Sequence, residues 1–113
     1  MKIINGTSFG SITVNGRSYT HDVWLLASGE LRRRDRNHEF ILDEFLMLLE
    51  GGPEVVVVGT GQTGCVRIEE DVKEEAGRRG VELLWDKTPK ALGLYNEAVK
   101  KGRRVAGAFH VTC

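Results

Sequence analysis

The glycine-rich segment that follows four consecutive valines is the first part of the sequence whose residue types could do chemistry. Residues 55–68 read VVVVGTGQTGCVRI, and Gly59, Gly61 and Gly64 have the spacing G-x-G-x-x-G. Where such a loop joins a strand directly to a helix, its backbone N–H groups and the helix dipole bind a dinucleotide pyrophosphate. The spacing alone is a weak signal, because glycines also let a chain turn tightly and pass close to a neighbouring segment.

The residues after this loop favour the turn over the phosphate site. The segment 65–68 is CVRI, which contains two β-branched residues, and the acidic run that begins the next helix starts only at Glu69. Carboxylates in a first helical turn stabilise the helix through its dipole and repel a phosphate there. No Lys-Ser or Lys-Thr pair follows the glycines, so a P-loop is excluded.

An anionic ligand or nucleotide nevertheless remains the alternative. Asp86 ends the next predicted strand, about where the motif places the ribose partner, and Thr88 follows it. The candidate ligand loops are therefore Gly59–Gly64 and Asp86–Thr88, although we predict no bound cofactor.

Two residues near the end of the sequence raise the question of a metal or a reactive thiol. His110 and Cys113 are three residues apart, a spacing that puts them on opposite faces of an extended strand, so a shared metal would need a bend after Val111. Zinc needs three or four ligands, and Cys65, His21 and His38 are remote in sequence. We predict no metal site, and leave open whether His110 lowers the pKa of the Cys113 thiol or that thiol packs in the core.

Composition excludes several classes of function. The 113 residues carry 16 basic and 16 acidic side chains, and this zero net charge argues against a nucleic-acid partner. We interpret the basic cluster RRRDR at 32–36 as protection of an edge strand. No apolar run approaches the roughly 20 residues that span a bilayer, and the first ten residues do not resemble a signal peptide. We expect a soluble cytoplasmic protein with no membrane association, and no catalytic residue can be assigned.

The period of the hydrophobic pattern changes along the chain and predicts one α/β domain over residues 1–113. Residues 1–36 are predicted to form an antiparallel β layer, with turns at Asn15-Gly16 and Ser28-Gly29. Residues 42–113 read as α-β-α-β-α-β, and the apolar run EVVVVG predicts a strand that is covered on both faces. The expected fold is a compact three-layer domain with a mostly parallel or mixed central sheet.

Local signals predict where the helices begin and end. Asp43 and Thr88 are predicted N-caps, with Pro89 at the first helical position of the last helix. Gly51, Gly80 and Gly102 are predicted to end the three helices. Trp24 and Trp85 are interpreted as core anchors.

The second half of the chain resembles a known family. A strand running into GTG, the segment WDKTPKA and the segment YNEAVKKGRRVAGAFHVTC together resemble a family of unknown function found in archaea, bacteria and eukaryotes. Its eukaryotic members include the adipogenesis-associated domain protein and a mitochondrial assembly factor for respiratory complex I. The residues that carry the resemblance are Thr88, Ala91, Tyr95, Asn96, Gly102, Arg104, His110 and Cys113.

The resemblance implies a fold and a kind of function, but no reaction. It implies a compact three-layer α/β domain with an added β layer, and its best-described members act by association with other proteins. We therefore expect a non-catalytic protein-interaction or assembly module with a protein partner, and keep self-association through an edge strand open. The alternative is the small anionic ligand at the glycine loop.

Overall fold

A five-stranded mixed sheet forms the centre of the molecule. The computed structural model describes residues 2–113, so Met1 of the predicted first layer lies outside the described residues. The strands of this sheet, in chain order, are β4 (Val23–Leu25), β5 (Leu31–Arg33), β7 (Val55–Gly59), β9 (Glu82–Asp86) and β10 (Val105–Phe109). Their spatial order is β5-β4-β10-β7-β9, in which β10, β7 and β9 are parallel and β4 and β5 are antiparallel to their neighbours.

The two inner parallel strands are covered on both faces, as their sequences predict. All five residues of β7 and all five of β10 are buried. Helix α3 (Thr88–Lys100) packs with Val55 and Val57 on one face, whereas α1 (Leu42–Leu48) and α2 (Glu70–Arg79) pack with Val56 and Val58 on the other. Two apolar cores, one on each face of the sheet, therefore hold the ends of these strands in fixed positions.

A second, three-stranded antiparallel sheet packs against α3 and completes the three layers. It consists of β1 (Ile4–Ser8), β2 (Ser11–Val14) and β3 (Arg17–Tyr19). Asn15 and Gly16 have φ values of 48° and 78°, which confirms the predicted type I′ hairpin turn. The predicted fold class, a three-layer α/β domain with a mixed central sheet, is confirmed.

The first 36 residues do not all belong to this second sheet, however. Strands β4 and β5 are joined by the predicted Ser28-Gly29 turn, but Trp24 pairs with Ala108 of the central sheet. The β layer expected over residues 1–36 is thus limited to β1–β3. Val23 and Leu25 are fully buried there, and this gain in apolar burial explains why the hairpin joins the larger sheet.

Helix ends match the predicted stops better than the predicted starts. Gly51, Gly80 and Gly102 all have positive φ after the ends of α1, α2 and α3. The N-caps are one residue or more away from the predictions, since α1 starts after Ile41 and α3 after Lys87.

The structure also adds a short strand pair that the sequence pattern did not predict. Strand β6 (Glu39–Phe40) pairs in parallel with β8 (Arg67–Ile68), immediately before α2. Within residues 2–113, no helix combines the length and apolar character that crossing a bilayer would require.

Candidate functional site

The glycine loop lies against residues 110–113, which leave the end of β10. The backbone N–H of Gln62 donates to the carbonyl of Thr112 at 2.7 Å. The N–H groups of Thr63 and Cys65 both donate to the Cys113 oxygen, at 2.9 and 3.1 Å. Three of the amides that could bind an anion are therefore already hydrogen-bonded within the protein.

The glycines of the loop allow this close approach. Gly61 has a φ of +109°, and a Cβ there would overlap the backbone of Cys113. A Cβ at Gly59 would lie 2.8 Å from the Thr88 hydroxyl. Gly64 also has a positive φ, of +83°. These contacts agree with the interpretation of the loop as a tight turn against neighbouring chain.

Thr88 and Asp86 support the loop from the other side. The Thr88 hydroxyl is buried, accepts the N–H of Gly61 at 2.9 Å and donates to the carbonyl of His110 at 2.7 Å. The Asp86 carbonyl accepts both the N–H and the hydroxyl of Thr60, while its carboxylate accepts the N–H of Lys87 at 2.8 Å. The five predicted loop residues do come together, and the contacts they make are within the chain.

A buried network of charged side chains lies behind these residues. Asp22 Oδ2 accepts hydrogen bonds from Arg34 Nη1 and from His110 Nδ1, each at 2.7 Å. Its other oxygen accepts the N–H of Val111 at 3.0 Å. Arg34 also donates through Nε to Glu44, which in turn accepts the indole N–H of Trp24 at 2.8 Å. A buried arginine between two carboxylates is fully compensated here, as buried charges must be.

This network was not predicted, and it changes the interpretation of the basic cluster at 32–36. Arg33 lies exposed on the edge strand β5, as protection of an edge requires, but Arg34 is only 3% exposed. Asp22 and Glu44 carry no spacing signal that would mark them as its partners. The one available signal is that His21-Asp22 stands directly before a buried apolar strand.

Three donor side chains of the kind that bind metals meet at the surface of this network. The ligand atoms of His38, His110 and Cys113 all lie within 4.8 Å of one another. His38 Nε2 is 3.4 Å from Cys113 Sγ, and the two imidazole rings are 5.4 Å apart at an angle of 88°. The opposite-face argument at 110 and 113 does not hold, since β10 ends at Phe109 and the chain leaves the extended course. His21, in contrast, hydrogen-bonds to the Asp22 carbonyl and is outside this group.

The two cysteines lie side by side, and their thiols influence each other. Hydrogen bonding from Cys113, with a smaller contribution from Thr63, lowers the pKa of the Cys65 thiol. The same contact to Cys65, followed by burial, raises the pKa of the Cys113 thiol. His110 is not among the causes of the Cys113 shift, so the hypothesis that His110 lowers the pKa of Cys113 gains no support from these contacts.

The remaining residues of the resemblance have structural contacts away from this cluster. Tyr95 is buried against Phe109, and burial raises the pKa of its hydroxyl to about 12. The Asn96 side chain accepts the N–H of Ile4 at 2.9 Å and donates to its carbonyl at 2.8 Å. Arg104 donates through its guanidinium to the carbonyl of Gly51. Of the five predicted signature residues, His110 and Cys113 alone are brought together.

Solved structures share this fold over nearly the whole chain. The protein MT938 is 28% identical, each chain covers 100% of the other, and the TM-score is 0.85. The conserved hypothetical protein PH1505 from Pyrococcus horikoshii is 27% identical over 97% of this chain and 98% of that one, with a TM-score of 0.86. A Mth938-like domain protein from Bordetella pertussis is 20% identical over 97% and 85% of the two chains, with a TM-score of 0.69, and shows the fold alone.

A family model assigns the chain on the basis of its sequence. The model described as a protein of unknown function (DUF498/DUF598) matches residues 4–110. This range includes all strands of the two packed sheets and helices α1, α2 and α3. The chain therefore belongs to the DUF498/DUF598 family of proteins of unknown function.

Proposed function

We propose that this domain is a non-catalytic association module of the cytoplasm, and that it binds an extended segment of a partner protein along β9. The observation that supports the proposal is the exposure of Trp85 on an edge strand. Strand β9 is the last strand of the central sheet, with β7 on one side. Edge strands offer unpaired backbone groups to which another chain can add as a strand.

Trp85 is the residue that distinguishes this edge. It is 45% exposed, so the expectation of a core anchor is wrong for Trp85. The Lys73 ammonium lies 5.1 Å from its ring centroid, which orients the ring on the α2 side of the strand. Tryptophan is enriched among the residues that dominate binding energy at protein interfaces.

The opposite edge of the sheet, strand β5, has no exposed aromatic side chain. Strand β5 carries Arg32 and Arg33, and the Arg32 guanidinium is paired with Glu30 and Glu50. Two arginines among the three residues of β5 discourage strand addition more than the two carboxylates among the five residues of β9. The contrast between the two edges supports β9 as the binding edge.

A shallow groove lies on the α3 side of β9, the face opposite Trp85, and gives the partner side chains a place to pack. It encloses about 180 Å³, and its floor is formed by Leu84, Leu94 and Ala98. Glu82 and Glu97 lie on its rim, together with Lys101 and Arg103. An extended segment with alternating apolar residues matches such a floor, since alternate side chains of a strand face the same side.

Charge argues against a second copy of β9 as the occupant. Two β9 strands related by a two-fold axis through Leu84 would place Glu82 opposite Asp86 at both ends. Like charges directly opposite each other destabilise a strand pair. Glu82 is already paired with Arg103 at 2.6 Å, whereas Asp86 would attract a basic residue of a partner segment. We therefore propose a different protein as the partner.

The family resemblance supports an association role, since its best-described members, including the complex I assembly factor, act in this way. The competing proposal, an anionic ligand at Gly59–Gly64 and Asp86–Thr88, has less support. The amides of Gly61, Gln62, Thr63 and Cys65 are already hydrogen-bonded within the chain. To reach all four, an anion would have to displace the Thr88 hydroxyl, the Thr112 carbonyl and the Cys113 oxygen.

Site-specific photocrosslinking tests the association role. A photoreactive phenylalanine analogue replaces Trp85 in the full chain, expressed in its native cells, and the crosslinked peptides are identified by mass spectrometry. A matched protein carries the same analogue at Leu46, which is 39% exposed on α1. We expect position 85, and not position 46, to crosslink to one segment of another protein that has a basic residue beside an apolar centre.

The other outcomes contradict the proposal. Equal crosslinking from both positions would indicate non-specific contact. Crosslinks from position 85 that join only two copies of this chain would identify self-association in place of a partner. No crosslink from position 85 in native cells would remove β9 as the binding edge.

A further inference from the structure

We propose that His38, His110 and Cys113 form a binding site for one zinc ion whose fourth position is open. The prediction of no metal site rested on the odd spacing of His110 and Cys113 and on the distance of the other candidate ligands in sequence. In the structure they come from two segments: the connection between β5 and β6, and residues 110–113, which follow β10. Two imidazoles and a thiolate form a donor set that suits zinc and disfavours magnesium and calcium.

The separations of the donor atoms are close to those of a tetrahedral zinc site. Zinc–nitrogen and zinc–sulfur bond lengths place neighbouring ligand atoms roughly 3.3–3.6 Å apart. The 3.4 Å between His38 Nε2 and Cys113 Sγ is in this range, and all three ligand atoms lie within 4.8 Å. Binding therefore requires the widest of these separations to shrink by at most about 1.5 Å.

His110 is oriented as metal-binding histidines usually are. Its Nδ1 is hydrogen-bonded to the Asp22 carboxylate at 2.7 Å, so Nδ1 carries the proton and the lone pair is on Nε2. Arg34 fixes Asp22 from the other side, also at 2.7 Å. The Thr112 hydroxyl lies 3.1 Å from Nε2, and the zinc ion would replace this contact.

The other two ligands are held through their backbones. The carbonyl of His38 accepts the N–H of Arg67 at 2.9 Å, which ties its segment to β8. The oxygen of Cys113 accepts hydrogen bonds from Thr63 and Cys65 of the glycine loop. The hydrogen bonds between the glycine loop and the Cys113 backbone thus also hold a metal ligand in position.

The fourth position faces solvent. A pocket of about 280 Å³ opens beside His38 and Cys113, lined also by Phe9, Arg36 and Thr112. A site with three protein ligands and an open position is the arrangement of zinc sites that bind a water or an exchangeable ligand. Cys65 lies next to Cys113 but outside the group of three, so its thiol is not one of the proposed zinc ligands.

Metal titration in a Cys65→Ser background tests this assignment. This change removes the second thiol, which could otherwise form a disulfide or supply a ligand. The full chain is freed of metal and titrated with Co²⁺, then with Zn²⁺ in competition with a chelator. We expect one equivalent of Co²⁺ with thiolate charge-transfer absorption and the visible bands of tetrahedral cobalt, and displacement of Co²⁺ by Zn²⁺.

Ligand variants in the same background supply the comparison. His38→Ala and Cys113→Ser are expected to abolish the cobalt spectrum, whereas His21→Ala, a histidine outside the group, is expected to keep it. His38 is exposed and His21 is half-buried, so neither change disturbs the core. Asp22→Asn, if folded by circular dichroism, is expected to weaken zinc binding about 10–100-fold, as the loss of a carboxylate behind a ligating histidine does.

Three results would overturn the assignment. The first is a folded Cys65→Ser protein that binds neither Co²⁺ nor Zn²⁺. The second is binding that persists unchanged in His38→Ala or in Cys113→Ser. The third is loss of binding in His21→Ala, which would show that the metal is held by other residues.

Discussion

Single residues in this protein are constrained mainly by how closely two backbone segments approach each other. Gly61 is the clearest case, because its φ is in the left-handed region and its Cα faces the backbone of Cys113. The Thr88 hydroxyl has a similar constraint, since it connects Gly61 and His110 and is fully buried. At both positions the sequence shows which residue is present, but the contact that requires it is made by a segment that is remote in sequence.

Gly61→Ala is expected to lower the free energy of unfolding by about 2–4 kcal/mol, because it adds both a strained φ and an overlap with backbone. Urea denaturation measures this change. Gly77→Ala is the matched control, since Gly77 is an exposed residue of α2 with open space around its Cα. That change is expected to stabilise the protein by about 0.5–1 kcal/mol. Equal midpoints for the wild type and Gly61→Ala would contradict the packing described for the loop.

Elements are joined by a few side chains whose role cannot be inferred from their position on a helix. Asn96 is a poor helix former inside α3, and its residue type alone gives no reason for its position there. In the structure it pairs with both backbone groups of Ile4 and so attaches β1 to α3. A helix residue thereby replaces the strand neighbour that Ile4 would otherwise need.

Asn96→Ala is expected to cost about 1–3 kcal/mol of stability, because two backbone groups of Ile4 lose their partners. Amide hydrogen exchange in β1 should rise more than exchange in β7. The exposed Lys90 of the same helix provides the control, and Lys90→Ala is expected to stay within about 0.5 kcal/mol of the wild type. Unchanged protection of β1 in Asn96→Ala would show that the apolar contacts suffice to hold the layer.

Local sequence signals predicted the elements well where the cause was local. The left-handed glycines after the helices, the Asn15-Gly16 turn and the buried strand at 55–59 all follow from residue preferences over a few positions. The starts of α1 and α3 were displaced, because the side chains of Asp43 and Thr88 did not become caps. Thr88 instead bonds to Gly61 and His110, which only the folded chain brings near it.

The candidate site was predicted only in part, for the same reason. His110 and Cys113 were identified, but His38 lies more than 70 residues before them and carries no motif. Arg34 is one of four arginines in a charged run, and nothing local shows that it alone is buried. Trp85 was assigned to the core from its residue type, whereas its place on the edge strand depends on the order of strands in the sheet.

The molecule as a whole is connected by the buried charge network. Arg34 links Asp22, at the start of β4, to Glu44 of α1, and Asp22 links both to His110 after β10. The network thus fastens one edge of the central sheet to a helix and to the end of its central strand. Loss of one partner leaves the remaining charges buried without compensation.

Arg34→Ala is expected to destabilise the protein by about 3–5 kcal/mol, since Asp22 and Glu44 would remain as uncompensated buried charges. The exposed neighbour Arg33, the last residue of β5, is the control, and Arg33→Ala is expected to change stability by less than about 0.5 kcal/mol. Thermal and urea unfolding both report the difference. Similar losses in the two variants would indicate that the buried pairs contribute no more than a surface charge.

The position of β10 has a consequence for how quickly the protein can fold. This strand lies between β4 and β7. Strands β4 and β5 therefore cannot join the rest of the sheet until Gly107 of β10 pairs with Leu25 of β4. Until that long-range closure occurs, two incomplete sheets each present an open edge to other chains. Domains dominated by such distant pairings refold in milliseconds to seconds, and during that interval they are most exposed to aggregation.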